Sequence, residues 1–281
     1  HQKKKEKHII LSVKFQKTYM KWKTMKITSN ASVQDTQKVL LYIFEHIKKI
    51  FETEEIPYFL IYGTLLGAVR HQGFIPWDDD LDLCIDKKHY DKAIKLLKEK
   101  LPNEFLVHNK ETDPIYWLPF TKIRYKNSKT TCIEWPEDNS FIHTGISIDL
   151  YRYWKEEKWS PALAKKIAVK ETLGRIDNPV NKHSFVGRFL RKVKYSMLYY
   201  FYLFLHLLSG KKAMYCLDPV SMSKPLYPED METAITASFE GMTVTIPKGY
   251  DRILSNEYGN YRTLPPVDKR QQLYSKVEIY E

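Results

Sequence analysis

The first regular pattern along the chain begins at Val33, where Val39, Leu40, Ile43, Phe44, Ile47, Ile50 and Phe51 recur at helical spacing behind Ser32, a residue suited to N-capping. An amphipathic helix is predicted there, ended by Pro57. Tyr58–Tyr62 reads as a short buried strand that stops at Gly63-Thr64, and Thr64–Arg70 looks like a helix starting straight off it. Beyond the loop Gly73-Phe74-Ile75-Pro76-Trp77 the period becomes two over Asp80–Ile85, then helical again over Lys88–Leu101. Further strands are predicted at Leu118–Tyr125, Thr130–Trp135 and Gly145–Tyr151. Helix and strand therefore interleave, which predicts an α+β fold with a mixed sheet and helices packed on it.

After Trp154 the character changes. Ser160–Arg175 and Ser184–Leu208 have helical patterns separated by Asn178-Pro179, and the last part holds an alternating run (Met242, Val244, Ile246), a short helix over Ile253–Tyr258 and a Pro265-Pro266 stop. These shifts divide the chain into a basic segment of unassigned fold (1–30), a catalytic core (31–155), a basic and aromatic helical subdomain (156–235) and a C-terminal segment that completes the domain (236–281).

The net charge of +11 suggests a nucleic-acid partner until it is split by position. Residues 1–30 carry nine lysines against one glutamate, and 178–217 carry seven lysines and arginines with no acid, so the remainder is mildly acidic. No groove tracking a phosphate backbone is expected, and nucleic acid is excluded as a partner. Cys84, Cys132 and Cys216 form no zinc-ligand spacing, which points to a reducing compartment. No signal peptide is expected from the lysine-rich start, and Tyr195–Leu208, the longest uncharged apolar run, is shorter than the roughly 20 residues a spanning helix needs. With cations at both its ends, Arg188–Lys212 is expected to lie on an anionic membrane surface or to serve as a core helix of a lid.

Alternation places Asp80 and Asp82 on one face of their strand, with Leu81 and Leu83 on the other. Two adjacent carboxylates repel, and a hard divalent cation such as Mg²⁺ (or Mn²⁺) is what holds such a pair. Asp149, between Ile148 and Leu150, repeats the pattern on a later strand and completes a candidate metal site of three acids. Gly63 and Thr64 are candidates to contact phosphate at the strand-to-helix turn. Arg70 and Lys122 are candidates to neutralise a transferring phosphoryl group, with His71 and Arg124 weaker ones. Trp77, Trp117 and Trp135 are candidate rings for a quaternary ammonium, Trp77 foremost because it adjoins the acids.

The stretch Ile61–Ile85, IYGTLLGAVRHQGFIPWDDDLDLCI, resembles the signature of the LicD family, whose relatives include fukutin-type proteins, and the resemblance resumes at Phe120–Arg124 and at Tyr258–Pro266. It implies a polymerase-β-like nucleotidyltransferase fold, Gly63 and Thr64 on the donor's phosphates, Asp80 and Asp82 as the metal pair, and Asp149 as the third acid near the nucleophile. It further implies transfer of phosphocholine from CDP-choline to a hydroxyl of a teichoic acid or other surface glycan. The acceptor is then a glycan or lipid-linked polysaccharide, with the enzyme peripheral at the cytoplasmic face of the membrane. Alternatives are phosphoethanolamine, glycerol phosphate or ribitol phosphate as the moving group, nucleotidyl transfer to a small molecule, or an inactive membrane-associated accessory protein. The family often follows its third acid with Ile/Val-Phe-Pro, whereas this chain has Leu150-Tyr151-Arg152, a departure expected to alter the neighbouring pocket and spare the metal site.

Overall fold

The computed structural model describes residues 30–133, 135–158, 160–178, 184–209, 214–217 and 226–280. The basic segment assigned to 1–30 lies outside them but for its last residue. Helix α1 (Val33–Thr53) buries each of the seven periodic residues named above, and Ser32 and Asp35 cap it reciprocally. Its apolar face packs on a six-stranded sheet. In chain order the strands are β1 (Phe59–Leu60), β2 (Leu81–Asp86), β3 (Phe105–His108), β4 (Thr121–Tyr125), β6 (Ser147–Glu156) and β7 (Met214–Leu217). Their spatial order is β1-β2-β6-β4-β3, with β7 also paired to β6. Only β2 and β6 run parallel; the other pairs are antiparallel, so the sheet is mixed and the fold is α+β.

Helix α2 (Tyr62–Arg70) follows β1 after a single residue, and α3 (Lys87–Lys100) follows β2 directly, capped by Asp86. Outside the main sheet, β5 (Ser128–Cys132) pairs with β10 (Tyr274–Ile279), tying the end of the described chain to its middle. The strands β8 (Ala234–Phe239) and β9 (Met242–Pro247) form a hairpin followed by α7 (Tyr250–Tyr258). Helices α4 (Pro161–Asp177) and α5 (Phe185–Leu208) pack on one another, and a short α6 (Pro228–Met231) follows. Four strands escape the sequence patterns, namely β3, β7, β8 and β10, because each is short or exposed on one side and carries little period-two signal. β6 runs to Glu156, five residues past the sequence expectation, since β7 prolongs its pairing. Among the described residues no helix is long and apolar enough to cross a membrane.

Candidate functional site

Three strands bring the central residues into one row. The parallel pairing of β2 with β6 sets Asp82 opposite Asp149, and the antiparallel pairing of β6 with β4 sets Asp149 opposite Lys122. Residues opposite one another in a ladder share a face. The Lys122 ammonium donates to both carboxylate oxygens of Asp149, each at 2.7 Å. Asp80 stands just before β2, on a loop whose residues Asp78 and Asp80 share a side-chain hydrogen bond. These groups line a cavity of about 390 Å³.

The electrostatics of this cluster are unbalanced. Burial first, and then the charges of Asp82, Asp78 and Asp149, hold the Asp80 carboxyl well above the usual range. Burial and then Asp149 and Asp78 do the same to Asp82, against the opposing pull of Lys122 and of the Tyr151 hydroxyl. Asp78 is raised to about 6, chiefly by burial. One ammonium therefore answers several carboxylates, an excess that a divalent cation neutralises, and the all-oxygen donor set suits Mg²⁺ or Mn²⁺. The three acids singled out from sequence do not form a closed set, however. Among the described residues no three His, Cys, Asp or Glu side chains converge on one metal position, and Asp149 is engaged by Lys122. Asp80 and Asp82 remain side by side in the cavity, the pKa of each raised by burial and by the other acids.

The other sequence candidates divide. Gly63 lines the cavity, and a Cβ there would come within 2.9 Å of Asp78 Oδ2, so the glycine makes room for the acidic loop. Thr64 does not line it: the side chain is buried beneath β2, where Oγ1 accepts the Asp82 backbone N–H at 2.8 Å. It holds the backbone of Asp82, in place of the phosphate contact expected. Arg70 is likewise displaced from its expected role, because its Nη1 donates to the Tyr261 carbonyl at 2.7 Å and the residue lies outside the cavity. His71 Nδ1 accepts from Arg70 Nε at 3.4 Å. Trp77 also lies outside the cavity, with the Arg270 guanidinium 4.5 Å from its ring. Trp117 and Trp135 do line it, but Arg175 covers both, at 4.7 and 4.0 Å. An arginine of the chain thus sits against each tryptophan considered for a ligand cation.

Arg124, a weaker candidate from the sequence, lines the cavity together with several residues that carried no assigned role. Its guanidinium is fixed. Its Nε donates to His108 Nδ1 at 2.8 Å and its Nη1 to the Gly145 carbonyl at 2.7 Å. His108 must then carry its proton on Nε2, which donates to Asp113 Oδ2 at 2.9 Å. The ring stays neutral, because burial and the adjacent Arg124 push its pKa down to about 4. Asp138, in the 3₁₀ turn Pro136–Ser140, accepts the Trp117 indole N–H at 3.0 Å, and burial raises it to about 6. No periodicity marks that acid in the sequence. Tyr62 opens α2 with φ of +50°, a strained conformation for a bulky residue, and its ring meets Tyr151 edge-on at 5.5 Å. The Tyr151 hydroxyl bonds Asp149 Oδ2 at 3.4 Å and also reaches Asp82. The departure from the family's Phe at this position therefore places a hydroxyl on the acids themselves, which corrects the expectation that the metal site is untouched by it. Glu257 and Tyr258 of α7 complete the wall.

Comparison with known proteins places this geometry. Residues 55–169 match the family described as LicD/FKTN/FKRP, nucleotidyltransferase domain. Over 264 residues, 85% of this chain and 95% of the other, the chain is 25% identical to the lipopolysaccharide cholinephosphotransferase LicD of Haemophilus influenzae. An uncharacterized protein of Rickettsia prowazekii is 28% identical over 142 residues, 44% of this chain and 50% of that protein. Another, of Rickettsia typhi, is 40% identical over 70 residues, 23% of each chain.

Proposed function

We propose that this chain, whose residues 55–169 match the LicD/FKTN/FKRP nucleotidyltransferase domain, is a LicD-type phosphotransferase acting on a cell-surface glycan. The finer reading is transfer of phosphocholine from CDP-choline to a hydroxyl of a lipopolysaccharide or teichoic acid precursor, performed by a peripheral protein at the cytoplasmic face of the membrane. The name of the Haemophilus relative supports choline and a lipid-anchored acceptor. The observation that carries the reading is the row Asp82, Asp149, Lys122 beside Asp80 in one cavity.

Asp80 and Asp82 would hold Mg²⁺ or Mn²⁺, which supplies positive charge where the leaving phosphate develops its negative one. The acceptor oxygen attacks the phosphorus that bears choline, the P–O bond to CMP breaks, and CMP departs with the bridging oxygen. Arg124, locked by His108 and Gly145, presents its charge without reorganising. Lys122 has two anions to choose between. A bound diphosphate draws it from Asp149, and the carboxylate so exposed is free to take the proton of the acceptor hydroxyl. Gly63 leaves the donor space beside Asp78.

Incubation of the chain with Mg²⁺ and a panel of CDP-choline, CDP-ethanolamine, CDP-glycerol, CDP-ribitol and nucleoside triphosphates tests this. Slow release of CMP from CDP-choline, abolished by a chelator, is the expected outcome. Preference for another CDP-alcohol changes the moving group alone. Pyrophosphate from a triphosphate means nucleotidyl transfer, and silence across the panel means an inactive accessory protein.

A further inference from the structure

Helix α5 is built inside out. Its residues Arg188, Tyr195, Tyr199, Tyr202 and His206 follow helical spacing along one side and are buried or half-buried. That side faces α4, the helix against which α5 packs, and it carries hydroxyls and an imidazole along its centre with the half-buried Leu198 and Leu203 at its margins. On the opposite side Val186, Phe189, Val193, Met197, Tyr200 and Phe204 also follow helical spacing, and all are exposed, Val186 at 64% and Tyr200 at 68%. Twelve of the eighteen exposed large apolar side chains among the described residues lie on this one helix. A helix folded for a water-filled surround turns its apolar stripe inward; here burial has selected the other stripe.

Charge identifies what the outward stripe meets. Arg188, Arg191, Lys192 and Lys194 cluster in the N-terminal half, and residues 185–208 contain no acid. On the helical circumference Arg191 and Lys192 flank the packed side and Lys194 marks the edge of the apolar one, so long cationic stems border an exposed hydrophobic face. Such side chains reach from that boundary to headgroup level while the rings enter the lipid. A second copy of the chain is a poor occupant, because pairing two such faces brings together the bordering cations Arg191 and Lys194 of each copy with no acid on either helix, while Lys192 is engaged by Asp177 of α4 at 2.8 Å.

We propose that α5 is the surface by which this protein lies on an anionic lipid bilayer, its axis in the membrane plane and its Val186–Phe204 face in the headgroup and upper acyl region. This specifies the residues of the peripheral placement proposed above and rests on that placement, while being independent of which phospho-alcohol is moved.

Sedimentation of the full chain with phosphatidylcholine vesicles, with and without phosphatidylglycerol, tests it. Wild type sediments with the anionic vesicles at low salt. Phe189→Asn/Phe201→Asn/Phe204→Asn, all on the exposed side, lowers partitioning by more than about tenfold at low and high salt alike. Arg191→Gln/Lys194→Gln lowers it by about tenfold at low salt and little at high salt, where charge is screened. The proposal is overturned if wild type stays in the supernatant with anionic vesicles, or if the triple variant sediments as wild type does. It is also overturned if the triple variant instead splits a wild-type dimer that binds no vesicles. CMP release in vesicle-free buffer, read in parallel, separates the two proposals, since lost sedimentation with intact hydrolysis removes only this one.

Discussion

The ion pair of Lys122 and Asp149, with side chains only 7% and 10% exposed, sits inside the sheet where either charge alone is expensive. Lys122→Met is therefore expected to destabilise the protein by about 3 kcal/mol, and Lys122→Met/Asp149→Leu to recover most of that loss, as urea unfolding would read. Asp80→Asn and Asp82→Asn have the opposite signature: each abolishes CMP release, yet raises the stability of the chelator-treated protein by removing repulsion among buried acids. Asp138 supplies the pH dependence. Its carboxyl, raised to about 6 by burial, keeps in the folded state a proton that the unfolded chain releases near 4. Stability conferred by that group is therefore present below about pH 4 and lost as pH climbs to about 6. Asp138→Asn should gain about 2 kcal/mol relative to wild type between pH 4 and pH 7, read from urea midpoints. At this scale the strand acids were legible because alternation exposes them. The fates of Thr64, Arg70 and the three tryptophans were not, since each is decided by a partner 18 or more positions away: Asp82, Tyr261, Arg270 and Arg175.

Elements were legible where one period ran long. Every periodic apolar residue cited for α1 is buried, and Tyr90, Ala93, Ile94, Leu96 and Leu97 of α3 are too. Sequence could not say which strands neighbour which. Asp82 and Asp149 lie opposite one another only through a parallel pairing across more than 60 residues of chain. For α5 the pattern fixed two faces but not which one turns inward. The tight exit from β1 into α2 yields a contrast between two glycines of that helix. A Cβ on Gly67 would lie 2.5 Å from the Gly73 carbonyl oxygen, which is backbone, whereas on Gly63 it meets the end of the Asp78 side chain. Gly67→Ala should therefore cost about 2 kcal/mol of stability in thermal or urea melts. Gly63→Ala should fold nearly as well as wild type and instead weaken donor binding, visible as a raised KM for CMP release, because it displaces Asp78 into the cavity.

The molecule as a whole gathers its site from distant stretches: β2, β4, β6, the turn holding Asp138, and α7. Asp79, wedged between two cavity acids, turns away from them and accepts the backbone N–H groups of Leu273 and Tyr274 at 2.8 and 3.1 Å, fastening the start of β10 to the acidic loop. Asp79→Ala leaves one buried and one half-buried donor unanswered, at a cost of about 2–3 kcal/mol, and should lower CMP release at least tenfold although Asp79 lies outside the cavity. The same clasp sets a timetable for synthesis. While the ribosome is still adding the residues before Leu273, the nascent chain already holds all of the central strands, but its acidic loop has nothing to anchor it. The loop that carries Asp78 and Asp80 therefore takes up its fastened position only once Leu273 and Tyr274 have been made and have folded against Asp79.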